Sequence, residues 1–163
     1  MKRGEMAKGR ASPPRRGPPE APGGAEVIPL QLHVDDRGQL CQVVGTYAFP
    51  EIKRAYVVRN FVRGTVRGFH KHRTESKAYF VVEGVAKFVV LSNDLKDRSE
   101  HVLSDHTTAV LVVPPGLYHG WVSLTDRTTV LGLSDRTLEE TKQDDYRMDP
   151  LTFGPEIWET KPR

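Results

Sequence analysis

The chain of 163 residues carries one cysteine, Cys41, so no disulfide can close within it. A lone thiol fits a reducing compartment, and a cytoplasmic location is the expectation. Long apolar runs are also missing: none approaches the roughly 20 residues that a membrane-spanning helix needs. The basic N-terminus leads into prolines and glycines rather than an apolar stretch, so no secretory signal is read there. Helical periodicity is scarce, and only Leu138 to Asp145 reads as one short helix or turn. An excess of one charge is lacking too. Residues 1–25 carry six Lys/Arg against two Glu, whereas the whole chain is only +3, so residues 26–163 sum to −1. The bulk of the chain is therefore not a basic platform for nucleic acid.

Residues 1–25 are rich in Pro, Gly and Arg and almost without large apolar side chains, which predicts a disordered leader. Residues 26–163 then form one domain. Short runs rich in Val, Tyr, Phe and Thr dominate it: Val27 to His33, Leu40 to Val44, Tyr56 to Phe61, Ala78 to Glu83, Val85 to Leu91, Ala109 to Val113 and Thr128 to Leu133. Turn signals separate them, among them Asp35-Asp36-Arg37-Gly38, Glu83-Gly84 and Pro114-Pro115-Gly116. Many short strands at near-regular spacing predict an all-β antiparallel sandwich or barrel. Phe80-Val81-Val82 and Phe88-Val89-Val90-Leu91 are continuous rather than alternating, so both faces of those strands are covered. A homodimer is the expected cover, with a loop or tail as the alternative.

The chemistry concentrates at two histidine motifs. In Arg67-Gly68-Phe69-His70-Lys71-His72, residues two apart on a strand project to one side, so His70 and His72 share a space. Pro114-Pro115-Gly116-Leu117-Tyr118-His119 brings a third imidazole after a turn. His33, His101 and His106 have no such pattern and read as structural. The spacing resembles the two cupin motifs, which in metal-binding members place a glutamate seven residues before the first-motif glycine. Counting back from Gly84, that residue is Lys77, whose ammonium would repel a divalent cation. Glu75 lies on the same strand face and is the alternative ligand should a metal bind. Without a metal or other cofactor, a neutral imidazole can remove a proton next to a carbonyl while Lys77 stabilises the enolate oxygen.

As a set, these motifs resemble the cupins that process nucleotide-linked 4-keto-6-deoxy sugars, the dTDP-4-dehydrorhamnose 3,5-epimerases and the sugar 3,4-ketoisomerases. Asp35-Asp36-Arg37-Gly38 is similar to their early turn, and Pro115-Gly116-Leu117-Tyr118-His119-Gly120-Trp121 to their second motif. Asp149-Pro150 with Ile157-Trp158 is similar to their C-terminal segment. The likeness spans roughly residues 26–160 and implies a jelly-roll fold and a nucleotide-diphosphate sugar substrate. It implies His70 as base with Asp149 orienting it, Lys77 as oxyanion stabiliser, and Arg37 and Arg67 as the diphosphate clamp. His72, His119 and Tyr79 complete the candidate set. Three epimerase positions depart: Gly132 stands where a tyrosine acid is found, Leu138 where an aromatic stacks, and Gln42 where a glutamate occurs. Tyr79 and Tyr118 are the candidates to replace that acid. Ile52-Lys53-Arg54-Ala55-Tyr56 and the paired His70 and His72 look closer to the ketoisomerases, which lack the tyrosine. The resemblance therefore implies an isomerase, an epimerase first and a ketoisomerase second, with a metal cupin and a non-catalytic sugar binder as further alternatives.

Overall fold

The structure, a computed structural model, describes residues 24–161. Twelve strands run in chain order: β1 Glu26–Pro29, β2 Leu32–Asp35, β3 Gly38–Cys41, β4 Arg54–Asn60, β5 Val66–Lys71, β6 Lys77–Glu83, β7 Val85–Leu91, β8 Arg98–Ser104, β9 Ala109–Val113, β10 Tyr118–Ser123, β11 Thr128–Ser134 and β12 Tyr146–Arg147. One helix, α1 Leu138–Gln143, and a 3₁₀ turn at Pro155–Ile157 follow the main sheets. The first sheet has the order β1-β9-β6-β11-β4 and the second β12-β5-β10-β7-β8, with β2 and β3 forming a separate hairpin. Every pairing is antiparallel. The expected antiparallel sandwich is therefore what forms. Among the described residues no helix is long and apolar enough to cross a membrane.

The core lies between the sheets, where Val81, Leu111, Val113 and Val130 meet Phe88, Val90, Leu103 and Trp121. Alternation along each strand sends its other side chains outward. On the second sheet those outward residues, Phe69, Val89, Leu91 and Val122, pack under Ile157 and Trp158 of the chain's own C-terminal segment. The continuous apolar run of β7 is thus covered by a tail within the same chain, the alternative to a second subunit. On the first sheet, Ala78, Val110 and Leu133 lie under Leu30 and the stretch containing Val43, Tyr47 and Phe49. Val82, further along β6, stays half exposed.

β8 had no counterpart among the expected strands, because Arg98-Ser99-Glu100-His101 is polar and it sits at a sheet edge. β1 and β2 divide the run expected over Val27 to His33, since Leu30 turns inward between them. The proposed leader falls outside the described residues apart from Gly24 and Ala25. Ala25 is packed in the core, so the folded part reaches at least that far.

Candidate active site between the sheets

The sequence at the start of β5 lets two strands approach where the site forms. A Cβ added at Gly68, whose φ is 133°, would lie 2.5 Å from the Cα of Gly120 on β10. Only glycine at both positions permits this contact, which a bulge between His119 and Trp121 accompanies. His70 and His119 are direct cross-strand partners, and their rings lie 4.3 Å apart, edge to face. The His72 ring is 5.4 Å from that of His70. The three imidazoles do converge.

They have different tasks. His119 is fully committed: Nδ1 donates to the Leu117 carbonyl at 3.1 Å, and the Tyr79 hydroxyl donates to Nε2 at 3.0 Å. Burial, then His70 and Lys77, push its proton affinity well below the usual histidine range, which keeps it neutral. His72, after β5, is 2% exposed. Its Nδ1 donates to the Asp144 carbonyl at 2.8 Å and lies 3.2 Å from Glu75 Oε2. Burial and Lys77 lower its affinity for a proton, with Glu75 acting in the opposite sense. His70 is the most accessible of the three. Burial first, then Lys77, pushes its pKa down to about 3, so it stands neutral and able to accept a proton.

A cavity of about 610 Å³ opens beside them, within the usual range for a small-molecule site. Arg67, His70, His72 and Trp121 line it from the second-sheet side, and Arg54, Tyr56, Lys77 and Tyr79 from the first. Leu138, Thr141, Lys142 and Asp145, together with Arg147, close one end. The Arg67 guanidinium is aimed by its Nε–H, which donates to Asn60 Oδ1 at 2.6 Å. Behind Lys77 sits Glu75, its side chain wholly buried. It lies 3.1 Å from Arg54 Nη2 and 3.7 Å from Lys77 Nζ, and it accepts from the Ser134 hydroxyl at 2.6 Å.

Three expected site residues lie elsewhere, and His119 sits behind the cavity lining rather than in it. Asp149 is not beside His70: it is exposed, and its carboxylate accepts from the Leu151 N–H at 2.8 Å. The Asp149-Pro150 and Ile157-Trp158 pair serves the fold, because the Trp158 indole donates to the Pro150 carbonyl and its ring packs on Phe69. Asp145, four residues earlier, is the carboxylate in the cavity, and its charge favours a proton on His70. Arg37 lies on the β2–β3 hairpin, paired with Asp35 and lining a separate groove with His33 and Gln39. Tyr118 lies outside the cavity lining, its ring 4.4 Å from the Lys71 ammonium.

The residue missed by sequence reasoning is Tyr56. It pairs with Gly132 across β4 and β11, and a Cβ at Gly132 would strike its ring at 2.4 Å and its hydroxyl at 2.8 Å. A tyrosine on β4 thus fills the space that the glycine on β11 leaves. Burial raises the Tyr56 pKa, so it stays a phenol.

A family description, FdtA: WxcM-like, C-terminal, matches residues 24–157. The chain belongs to this family. No curated protein matches it by sequence. Solved structures share the fold. NovW, a 4-keto-6-deoxy sugar epimerase from the novobiocin biosynthetic gene cluster of Streptomyces spheroides, is 21% identical with a TM-score of 0.76, over 96% of this chain and 84% of that one. The dTDP-4-dehydrorhamnose 3,5-epimerase of Bacillus anthracis, solved with TDP and PPi bound, is 20% identical with a TM-score of 0.73, over 85% and 86%. QdtA, a sugar 3,4-ketoisomerase from Thermoanaerobacterium thermosaccharolyticum in complex with TDP, is 19% identical with a TM-score of 0.69, over 78% and 90%. The resemblance drawn from the motifs thus holds at the level of family and fold.

Within this FdtA-family domain the residues present do not suit a divalent metal. Among the described residues no group of three His, Cys, Asp or Glu is placed to hold one. His119 has no free nitrogen, Glu75 gives one of its oxygens to Arg54 and Ser134, and the Lys77 ammonium faces the imidazoles. The arrangement suits proton transfer, with a neutral imidazole on one side and a phenol and a cation on the other.

Proposed function

We propose that this protein is an isomerase of a nucleotide-linked 4-keto-6-deoxy hexose, acting by proton abstraction next to the keto carbon, and that the reaction is epimerisation. The observation that carries the proposal is the placement of Tyr56 over Gly132, which puts a phenol on the sheet opposite His70. Inversion at carbon needs a base on one face of the sugar and an acid on the other. His70 takes the proton as the carbon–hydrogen bond breaks, and the electron pair moves to the keto oxygen. Lys77 stabilises that oxyanion. Tyr56 then gives its hydroxyl proton to the opposite face and recovers one from solvent, to which His70 releases the proton it took. Arg67, with Lys142 and Arg147 at the cavity's end, supplies positive charge for a diphosphate.

Offered dTDP-4-keto-6-deoxyglucose in deuterium oxide, the protein should place deuterium at C3 or C5, and His70→Asn should abolish it. No exchange at any carbon would remove the isomerase reading. The second reading is 3,4-ketoisomerisation, which the nearness of His72 to His70 on one side of the cavity favours. It predicts a 3-keto product, and an NMR spectrum holding only 4-keto sugars would exclude it.

A further inference from the structure

Tyr79 lines the cavity but has no part in the base, acid and oxyanion roles above. It is 4% exposed, and its hydroxyl donates to His119 Nε2 at 3.0 Å. Its place on the sheet sets what else that hydroxyl can reach. Gly132 pairs with Tyr56 on one side and with Tyr79 on the other. Residues paired across strands share a face, so the three form one row whose middle member has no side chain. The Tyr56 ring leans into that gap, where a Cβ at Gly132 would lie 2.8 Å from its hydroxyl oxygen. The two phenols thus meet over the glycine. Burial raises the Tyr56 pKa, and hydrogen bonding by Tyr79 acts in the opposite sense.

Tyr79 therefore has one hydrogen and two acceptors for it. At rest His119 holds the stronger claim. Its Nδ1 donates to the Leu117 carbonyl at 3.1 Å, which leaves a lone pair on Nε2. Tyr56 still carries its own hydrogen and offers only a neutral phenol oxygen. A phenolate at Tyr56 reverses the balance, because a bond to a charged oxygen is about twice as strong as one between neutral groups.

We propose that Tyr79 is a positioning residue for Tyr56, its hydroxyl hydrogen resting on His119 Nε2 and turning to Tyr56 Oη once that oxygen has protonated the substrate. The proposal rests on the epimerase reading above. As the Tyr56 O–H bond breaks, the electron pair of the enolate forms the new carbon–hydrogen bond, and the negative charge passes to Tyr56 Oη. Tyr79 then rotates about its C–O bond and breaks no bond of its own. Burial, then the neighbouring Tyr56, hold its pKa well above the usual phenol range, so it keeps its proton throughout. A proton from solvent restores Tyr56, and the Tyr79 hydrogen returns to His119.

The charges around the pair leave this task to a hydroxyl. Glu75 and Arg54 lie 3.1 Å apart and act on Tyr56 in opposite senses, with the Arg54 guanidinium 5.2 Å from the centre of its ring. Lys77, Lys142, Arg67 and Arg147 against Asp145 line the rest of the cavity, and His70 and His119 are neutral.

Kinetics of the wild type, Tyr79→Phe and His119→Leu across pH test the switch, with dTDP-4-keto-6-deoxyglucose in deuterium oxide. Tyr79→Phe should lower kcat for inversion about tenfold at unchanged KM, while His70 still exchanges the substrate proton. Deuterium in recovered substrate should therefore rise relative to deuterium in the epimer. The alkaline limb of kcat reports the acid in the substrate complex. It should move to higher pH in Tyr79→Phe, and to lower pH in His119→Leu, where Tyr56 is the acceptor left to Tyr79. A limb unmoved in either variant, or exchange and inversion that fall together in Tyr79→Phe, would overturn the proposal. His119→Leu carries the test if Tyr79→Phe does not fold. If the wild type inverts no sugar carbon, the epimerase reading fails. Carbon-13 NMR titration of the tyrosine rings in the substrate-free full chain then judges the switch. Tyr56 should ionise at higher pH in Tyr79→Phe and at lower pH in His119→Leu, and an unchanged midpoint would dismiss it.

Discussion

Tyr56 and Gly132 show how a site can keep a group in place while changing the strand that supplies it. The phenol enters from β4 because β11 presents no side chain beneath it. Tyr56→Phe should retain the fold and lose about 10²-fold in kcat for inversion, read by deuterium incorporation against product formation. Gly132→Ala should displace the ring and produce the same kinetic loss together with a lower thermal midpoint. A fully active Tyr56→Phe would remove the residue from the mechanism. His70 makes a second prediction, in pH. Its folded pKa of about 3 lies below the roughly 6.5 of an unfolded histidine. Between those values the unfolded chain binds the proton and the folded chain does not. Stability is therefore complete above about pH 6.5 and is lost as pH falls toward 3. His72 and His119, also lowered, act in the same direction. The urea midpoint should drop between pH 7 and pH 5, and His70→Asn should flatten the slope; a midpoint that rises toward pH 5 contradicts the burial argument. Of these residues, His70, Lys77 and Arg67 were legible in the sequence, because each sits inside a local motif. Tyr56 was not, since its meaning depends on the register between β4 and β11. Asp149 misled because a matching motif can serve packing: its carboxylate caps a turn that seats Trp158.

Strands with two apolar neighbours announce themselves, and β9 runs over Ala109–Val113 as its Val-rich sequence predicts. The polar edge strand β8 could be recognised only from its pairing with β7. The element that matters most for the site is the shortest. α1 buries none of its residues, yet it brings Leu138, Thr141 and Lys142 to the cavity. It holds its place through a capping box: the Glu140 N–H donates to the Thr137 hydroxyl oxygen, and the Thr137 N–H donates to the Glu140 carboxylate. Its far end is fixed by Asp144, whose carboxylate accepts from the Thr74 N–H at 2.8 Å and the Thr74 hydroxyl at 2.9 Å. Thr137→Ala should destabilise this helix by about 1 kcal/mol while leaving the sandwich intact. The expected signature is a raised KM with little change in kcat or in the global unfolding midpoint. A fall in kcat at constant KM would show that α1 does more than help close the cavity.

At the scale of the molecule, the second sheet is covered by the chain's C-terminal segment and part of the first by Leu30 and the stretch with Val43, Tyr47 and Phe49, whereas the rest of the first sheet and the hairpin stay bare. Val82 and Val57 on the first sheet are 51% and 59% exposed, and Val34 and Leu40 on the hairpin 70% and 58%. An exposed two-stranded hairpin with apolar side chains is marginal by itself in water, and a second copy would give those residues a partner. A homodimer also accounts for Arg37. Among the described residues the guanidinium lines no part of the cavity and is paired with Asp35 alone. Carried by a hairpin that docks on another copy, it could reach the partner's substrate. Sedimentation equilibrium should therefore give a dimer, and Val34→Asp with Leu40→Asp should yield a folded monomer. In that monomer the affinity for a nucleoside diphosphate should fall, and Arg37→Ala in the intact dimer should weaken the same binding without dissociating it. A monomeric wild type, or an Arg37→Ala variant that binds nucleoside diphosphate as the wild type does, would leave the hairpin without a part in the site.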